Sequence, residues 1–195
     1  DDARSGALKD ILDEGRRLHG IIDNLLVIAR LDRGVEIEMD LVLVERVAAT
    51  VVDAHRKKHP KRQISLHVLS SSLCVEVNQG YLEQILENLL SNAEKYSPRD
   101  CPIEVTIESA GDFVAFRVLD RGDGVDEQER EHIFTPFYRS PLTSRHAGGV
   151  GVGLSVCHRL VEAQGGQMWF SPRDGGGSEF GFSLPLYDEI SDAAD

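Results

Sequence analysis

The chain has 195 residues, 41% hydrophobic and 28% charged, enough for one globular domain and an appendage. Its formal net charge of -12 argues against a nucleic-acid partner, which would call for a basic footprint. No apolar run is long enough to span a bilayer and no signal-peptide pattern opens the sequence, so the chain reads as a cytoplasmic piece of a larger protein, with no membrane contact of its own.

From about Ala3 to Arg33 the sequence predicts a long helix. Leu8, Ile11, Gly15, Leu18, Ile22, Leu25 and Ala29 recur by threes and fours, which makes a narrow apolar seam suited to another helix. Gly34 stops it. Glu36 to Leu41 alternates like a short strand, and Val44 to His59 forms a helix closed by Pro60. His55 and His59 stand four apart on that helix, but no third metal ligand is nearby. Ile64 to Leu69 and Leu73 to Val77 read as strands joined by the serine turn at 70–72.

Gln79 to Tyr96 is a strong helix ended by Ser97-Pro98. Ile103 to Ser109 and Phe113 to Asp120 form a hairpin around Gly111-Asp112, and Val125 to Ile133 is a short helical stretch. A polar loop over 135–149 leads into a helix from Val150 to Gln164, stopped by Gly165-Gly166. Gln167 to Ser171 and Ser178 to Leu186 are the last strands, ahead of an acidic tail. Strands arriving as hairpins favour a mixed sheet with helices on one face: an α+β, two-layer sandwich preceded by one long helix. The scattered Cys74, Cys101 and Cys157 read as reduced core residues.

On a helical wheel the segment from Gln79 to Tyr96 has three faces. Leu82, Leu86, Leu89, Leu90 and Ala93 face the sheet; Glu83, Glu87 and Glu94 form a solvated surface; Tyr81, Ile85, Asn88, Asn92 and Lys95 line a third, with Tyr96 beside them. The amide oxygens of Asn88 and Asn92 suit a hard cation already held by phosphates, and Lys95 can meet phosphate charge directly. A polar face that merely touches water is the alternative.

Three glycine segments follow. Asp120-Arg121-Gly122-Asp123-Gly124 ends a strand, where the Asp120 carboxylate can accept from an exocyclic amine such as adenine N6. Gly122 and Gly124 allow a sharp turn and close approach to a ring; an ordinary Asp-Gly turn is the alternative. Gly148 to Leu154 precedes a helix whose N-terminal amides make an anion site. Neither a P-loop, a dinucleotide fingerprint nor the protein-kinase motif set fits. Between them lie Phe134 to Arg139 and a loop with Arg145 and His146 that reads as a lid, with Arg139 and Arg145 as candidate phosphate contacts. Gly175 to Ser178 is the weakest segment and reads equally as a hairpin turn.

In this order the segments resemble the catalytic ATP-binding domain of sensor histidine kinases, of the family shared with gyrase, MutL and the heat-shock chaperone ATPases. Glu87 to Pro98 looks like the N box, Asp120 to Gly124 the first glycine box, Phe134 to Arg139 the F box, Gly149 to Leu154 the second glycine box and Gly175 to Phe180 the weaker third. Arg17 to Asp32 resembles the second helix of the dimerisation and phosphoacceptor domain. The resemblance implies a Bergerat-type fold, with residues 1–34 as that second helix, 35–188 as the catalytic domain and 189–195 as a tail.

It also implies ATP with Mg²⁺ as cofactors. Asn88 and Asn92 would hold the metal, and Asn88, Lys95 and Arg139 would act in catalysis. Tyr96, Asp120, Gly122, Gly124, Val125, Phe137, Gly149, Val150, Gly151, Val152, Gly153, Leu154 and Ser178 would complete the nucleotide contacts. The partners implied are a response regulator receiver domain and a second copy, as a homodimer through the dimerisation helices. No H-E-x-R-T-P-like acceptor motif occurs, His19 does not fit one, and Val150 replaces the usual Thr or Ser. An ATPase switch or a nucleotide-binding scaffold of the same fold is the rival reading. Asn88 stands where the ATPases carry a water-activating glutamate, and Glu87 lies about 100° away on the wheel.

Overall fold

The computed structural model describes residues 2–140 and 150–187, with the side chains of the first helix described at 14, 15 and from 18 onward. The lid expected over the polar loop, with Arg145, His146 and Gly149, and the tail beyond 188 lie outside the described residues.

Helix α1 (Asp2–Asp32) leads into β1 (Asp40–Leu43) and α2 (Val44–Lys58), followed by β2 (Ile64–Val68), β3 (Cys74–Val77) and α3 (Gln79–Tyr96). Then come the hairpin β4 (Ile103–Ala110) and β5 (Phe113–Leu119), α4 (Gly153–Glu162), and the hairpin β6 (Gln167–Pro172) and β7 (Ser178–Pro185). The main sheet has the order β2-β4-β5-β7-β6, and β1 pairs with β3 in a separate ribbon.

Alternation drives the layering. Ile103, Val105 and Ile107 on β4, Val114, Phe116 and Val118 on β5, and Phe182 and Leu184 on β7 are buried. Phe116 and Phe182 stack at 4.5 Å across the β5–β7 pair. α2, α3 and α4 lie side by side over this surface, α2 against β2, α3 against β4 and β5, and α4 against β6 and β7. The expected α+β sandwich is therefore the observed one.

Three local expectations differ. β2 and β3 are not paired: β2 runs parallel to β4, with Ile64 opposite Ile103, while β3 pairs with β1. The serine turn redirects the chain to another sheet, which local patterning does not encode. The first strand starts at Asp40 rather than Glu36, because its ladder reaches only from Asp40 to Leu43 opposite β3. The helical stretch after Val125 reduces to one 3₁₀ turn, Glu127–Glu129, capped by Asp126 Oδ1, which accepts from Gln128 N at 3.0 Å.

α3 is pinned at both ends. Asn78 Oδ1 accepts from Tyr81 N at 3.1 Å at its start. At its end the buried Arg62 guanidinium donates to Glu94 Oε2 at 2.7 Å and to the carbonyls of Ser97, Pro98 and Cys101. A cation here meets the carbonyls and negative dipole of the helix terminus. Glu94 is thus not the solvated residue that the wheel suggests; it neutralises a buried arginine from across the fold.

Candidate nucleotide site

α3, the β5–loop junction, the start of α4 and the β7 end surround a cavity of about 420 Å³. It is lined by Asn88, Asn92, Lys95, Tyr96, Asp120, Gly122, Gly124, Val125, Arg139, Val150, Gly151, Val152, Gly153, Leu154 and Ser178. Almost every expected site residue is brought to one place. Phe137 is the exception among the described residues: it is 62% exposed and does not line the cavity. Its backbone, at φ 64°, donates to Gly151 O at 2.9 Å, so this residue shapes the glycine loop through its main chain. The neighbouring Tyr138 lines the cavity instead, its hydroxyl donating to Glu129 Oε1 at 3.2 Å.

Asn88 is held in one orientation. Its Nδ2 donates to Gln84 O at 3.1 Å, and its Oδ1 lies against Gly153, where an added Cβ would come within 2.9 Å. The thiol of Cys157, one turn along α4, donates to Ile85 O at 4.0 Å, and burial pushes that thiol up to about 12, so it stays a neutral packing group. The helix after the second glycine segment starts at Gly153 rather than Val150, and Ser155 Oγ donates to Val152 O at 2.8 Å. Gly153 and Leu154, the first residues of α4, line the cavity, so a helix N-terminus opens on it.

Asp120 is 4% exposed. Its Oδ1 accepts from Gly122 N at 2.6 Å and Ser178 N at 3.3 Å, and its own amide donates to Ser178 O at 2.9 Å. Burial raises its carboxyl above the ordinary range, opposed by these two amides and by Arg173. Gly122 has to be glycine, because a Cβ there would lie 2.3 Å from Tyr96 O. The third glycine segment is more than a turn: it supplies the Ser178 amide, and Arg121 Nη1 clamps it through Asp174 O at 2.9 Å and Gly176 O at 3.2 Å.

Lys95 Nζ meets Tyr96 OH at 3.1 Å at the cavity wall. Sequence reasoning missed Ser91, Asp123, Glu129, Ile133, Tyr138, Ser140 and Phe180, and also Gly20, Ile21 and Asn24 of α1. Among the described lining, Asp120, Asp123 and Glu129 carry three negative charges against two positive ones on Lys95 and Arg139. Glu87 is exposed and outside the lining. His19 is also outside it, its side chain 79% exposed and 3.3 Å from Asp23.

Residues 77–188 match the family described as "Histidine kinase-, DNA gyrase B-, and HSP90-like ATPase", more than half of the chain. The chain belongs to that ATPase family. Within it, the chain is 32% identical over 180 residues to the sensor protein KdpD of Clostridium acetobutylicum, covering 91% of this chain and 20% of KdpD. Full-length ShkA, solved with AMPPNP, superposes with a TM-score of 0.79 at 28% identity, over 93% of this chain and 38% of that one. The Acinetobacter baumannii histidine kinase AdeS gives 0.73 at 21% identity, over 93% and 84%, a likeness of fold. The catalytic ATP-binding domain of this family, in the form that sensor histidine kinases carry, is thus what residues 77–188 represent. The chain spans a fifth to two fifths of the length of the curated relatives named here and of RstB from Escherichia coli.

Among the described residues no cluster of three His, Cys, Asp or Glu could hold a metal, and His55 and His59 stack on each other at 4.6 Å. No helix among them is long and apolar enough to cross a membrane.

Proposed function

We propose that this chain binds Mg-ATP in the cavity between α3 and α4 and passes the γ-phosphoryl group to a histidine outside the chain. The observation that carries the reading is convergence. One cavity collects a buried carboxylate, two side-chain amides, an ammonium and a helix N-terminus. Asp120 would accept from adenine N6, beside Tyr96. Asn88 and Asn92 would hold the metal, since the Gln84 carbonyl turns the Asn88 oxygen away from its own helix and toward Gly153. A net negative lining favours a triphosphate that arrives with a divalent cation. When bound, Mg²⁺ would supply charge neutralisation across the phosphates.

Catalysis would then be positioning and electrostatics. Lys95, Arg139 and the α4 amides hold the phosphates while an acceptor imidazole nitrogen attacks the γ-phosphorus. The bond from phosphorus to the β–γ bridging oxygen breaks, ADP leaves, and the imidazole proton passes to solvent. The phosphoryl group would go on to an aspartate of a response regulator. Residues 1–34 would be the second helix of the dimerisation domain and 35–188 the catalytic domain, working on the cytoplasmic side of a parent that can itself be membrane-bound.

Hydrolysis as the main reaction is disfavoured by Asn88 and by the exposed Glu87, since neither places a carboxylate to activate water at that point. The test is incubation of a longer chain carrying the acceptor helix with γ-labelled ATP. Acid-labile, base-stable label on protein is expected. Free phosphate without protein label would sink the kinase reading in favour of the ATPase, and ATP binding with neither would favour a scaffold.

A further inference from the structure

The cavity has a wall that the proposed function does not use. Gly20, Ile21 and Asn24 of α1 line it, although α1 is remote in sequence from α3. α1 is fastened there: Val27 is buried, Ile28 and Leu31 pack against the core, and Asp32 pairs with Arg159 of α4.

This wall stands at one end of the cavity. Gly122 packs on the carbonyl of Tyr96, so the Asp120 pocket lies at the C-terminal end of α3. Asn24 lies toward the other end: its Oδ1 accepts from Gln84 Nε2 at 3.0 Å, and the Gln84 carbonyl accepts from Asn88 at 3.1 Å. Gln84 and Tyr96 are separated along α3 by about 18 Å. Adenine at Asp120 therefore directs the phosphates toward Asn88, and the last of them toward Asn24. Since Oδ1 is taken by Gln84, the group that Asn24 can turn to an anion is its Nδ2 donor.

We infer that α1 is part of the nucleotide site, and that Asn24 contacts the terminal phosphate and so distinguishes ATP from ADP. The inference rests on the ATP reading above. By linkage, whatever moves α1 then changes ATP affinity more than ADP affinity, and bound ATP holds α1 in place.

The test uses the intact chain, titrated calorimetrically with Mg-ATP and Mg-ADP. Asn24→Asp keeps an oxygen for Gln84 but replaces the Nδ2 donor with negative charge; Asn24→Lys replaces the amide with a positively charged donor. The expected result is ATP affinity about tenfold weaker in Asn24→Asp and unchanged or tighter in Asn24→Lys, with ADP within about twofold in both. Equal weakening by both variants would mean a structural role and overturn the inference, as would ATP and ADP shifting together or not at all. If the unsubstituted chain binds neither nucleotide, the ATP reading itself fails. If it binds ATP and the variants are silent, only the role of Asn24 fails.

Discussion

Asp120 and Gly153 are residues whose local chemistry is tuned against stability. A carboxyl raised by burial binds its proton more tightly folded than unfolded. Its contribution therefore falls as pH rises from the ordinary carboxylate value through the raised one, and the ionised group is unfavourable at neutral pH. Asp120→Asn keeps an oxygen for the Gly122 and Ser178 amides but presents a donor to adenine N6. The melting temperature should hold or rise by a few degrees while ATP affinity falls at least about tenfold. Thermal denaturation beside ATP titration checks this, and a variant that melts lower yet binds normally would refute it. Gly153→Ala separates the same two properties. Alanine favours the first turn of α4 by up to about 1 kcal/mol, but its Cβ would strike Asn88 Oδ1. Unchanged stability with a loss of magnesium-dependent ATP binding is expected. Asn88, Asn92 and Asp120 were legible because helix spacing and glycine neighbours mark them. Tyr138 and Glu129 were not, because what gives them a place is contact across the fold, and no local pattern records it.

At the scale of elements, the α2–α3 contact carries a pH dependence. His55 is held neutral: burial and the charge of His59, with Lys58 and Arg62 adding to it against Glu94, lower it to about 4. Its Nε2 finds no hydrogen-bond partner among the described residues. A base depressed in the folded state contributes stability that is present at neutral pH and lost as pH falls from about 6.5 through 4. The loss should be of order 2 kcal/mol, discounted for partial exposure. His55→Phe keeps a ring to stack on His59 and removes the titration. Its melting temperature should fall less than the parent's between about pH 7 and pH 5; parallel curves would remove His55 as the cause. Element types followed from periodicity almost throughout, and α3 was read to its observed ends. The pairing of β2 was not legible, because a parallel partner beyond an intervening ribbon and helix leaves no turn signature. Arg62, the cap of α3, was invisible for the same reason: its carbonyls lie more than thirty residues away.

For the whole molecule, α1 decides how the catalytic domain meets its surroundings. The seam read from the sequence is not the face that docks on the catalytic domain. Leu18, Ile22, Leu25 and Leu26 are 53%, 54%, 43% and 52% exposed, while Ile21, Asn24, Val27, Ile28 and Leu31 turn toward the domain. At 100° per residue these two sets lie on roughly opposite sides of the helix. The second apolar face was less legible than the seam because it has fewer repeats and a polar Asn24 within it. Opposite faces mean that α1 can join a helical bundle without leaving the cavity. A seam of this spacing in water calls for a partner helix, and a second copy supplies one in the arrangement proposed above. The intact chain should then self-associate at about 100 μM, a concentration at which even weak helix pairing is populated. Ile22→Lys should make it monomeric in sedimentation equilibrium while leaving ATP affinity within about twofold, since position 22 faces away from the cavity. A parent chain that stays monomeric would remove the seam as a self-association surface. A variant that loses ATP binding would show instead that the two faces are coupled, and that a change at the seam reaches the nucleotide site through α1.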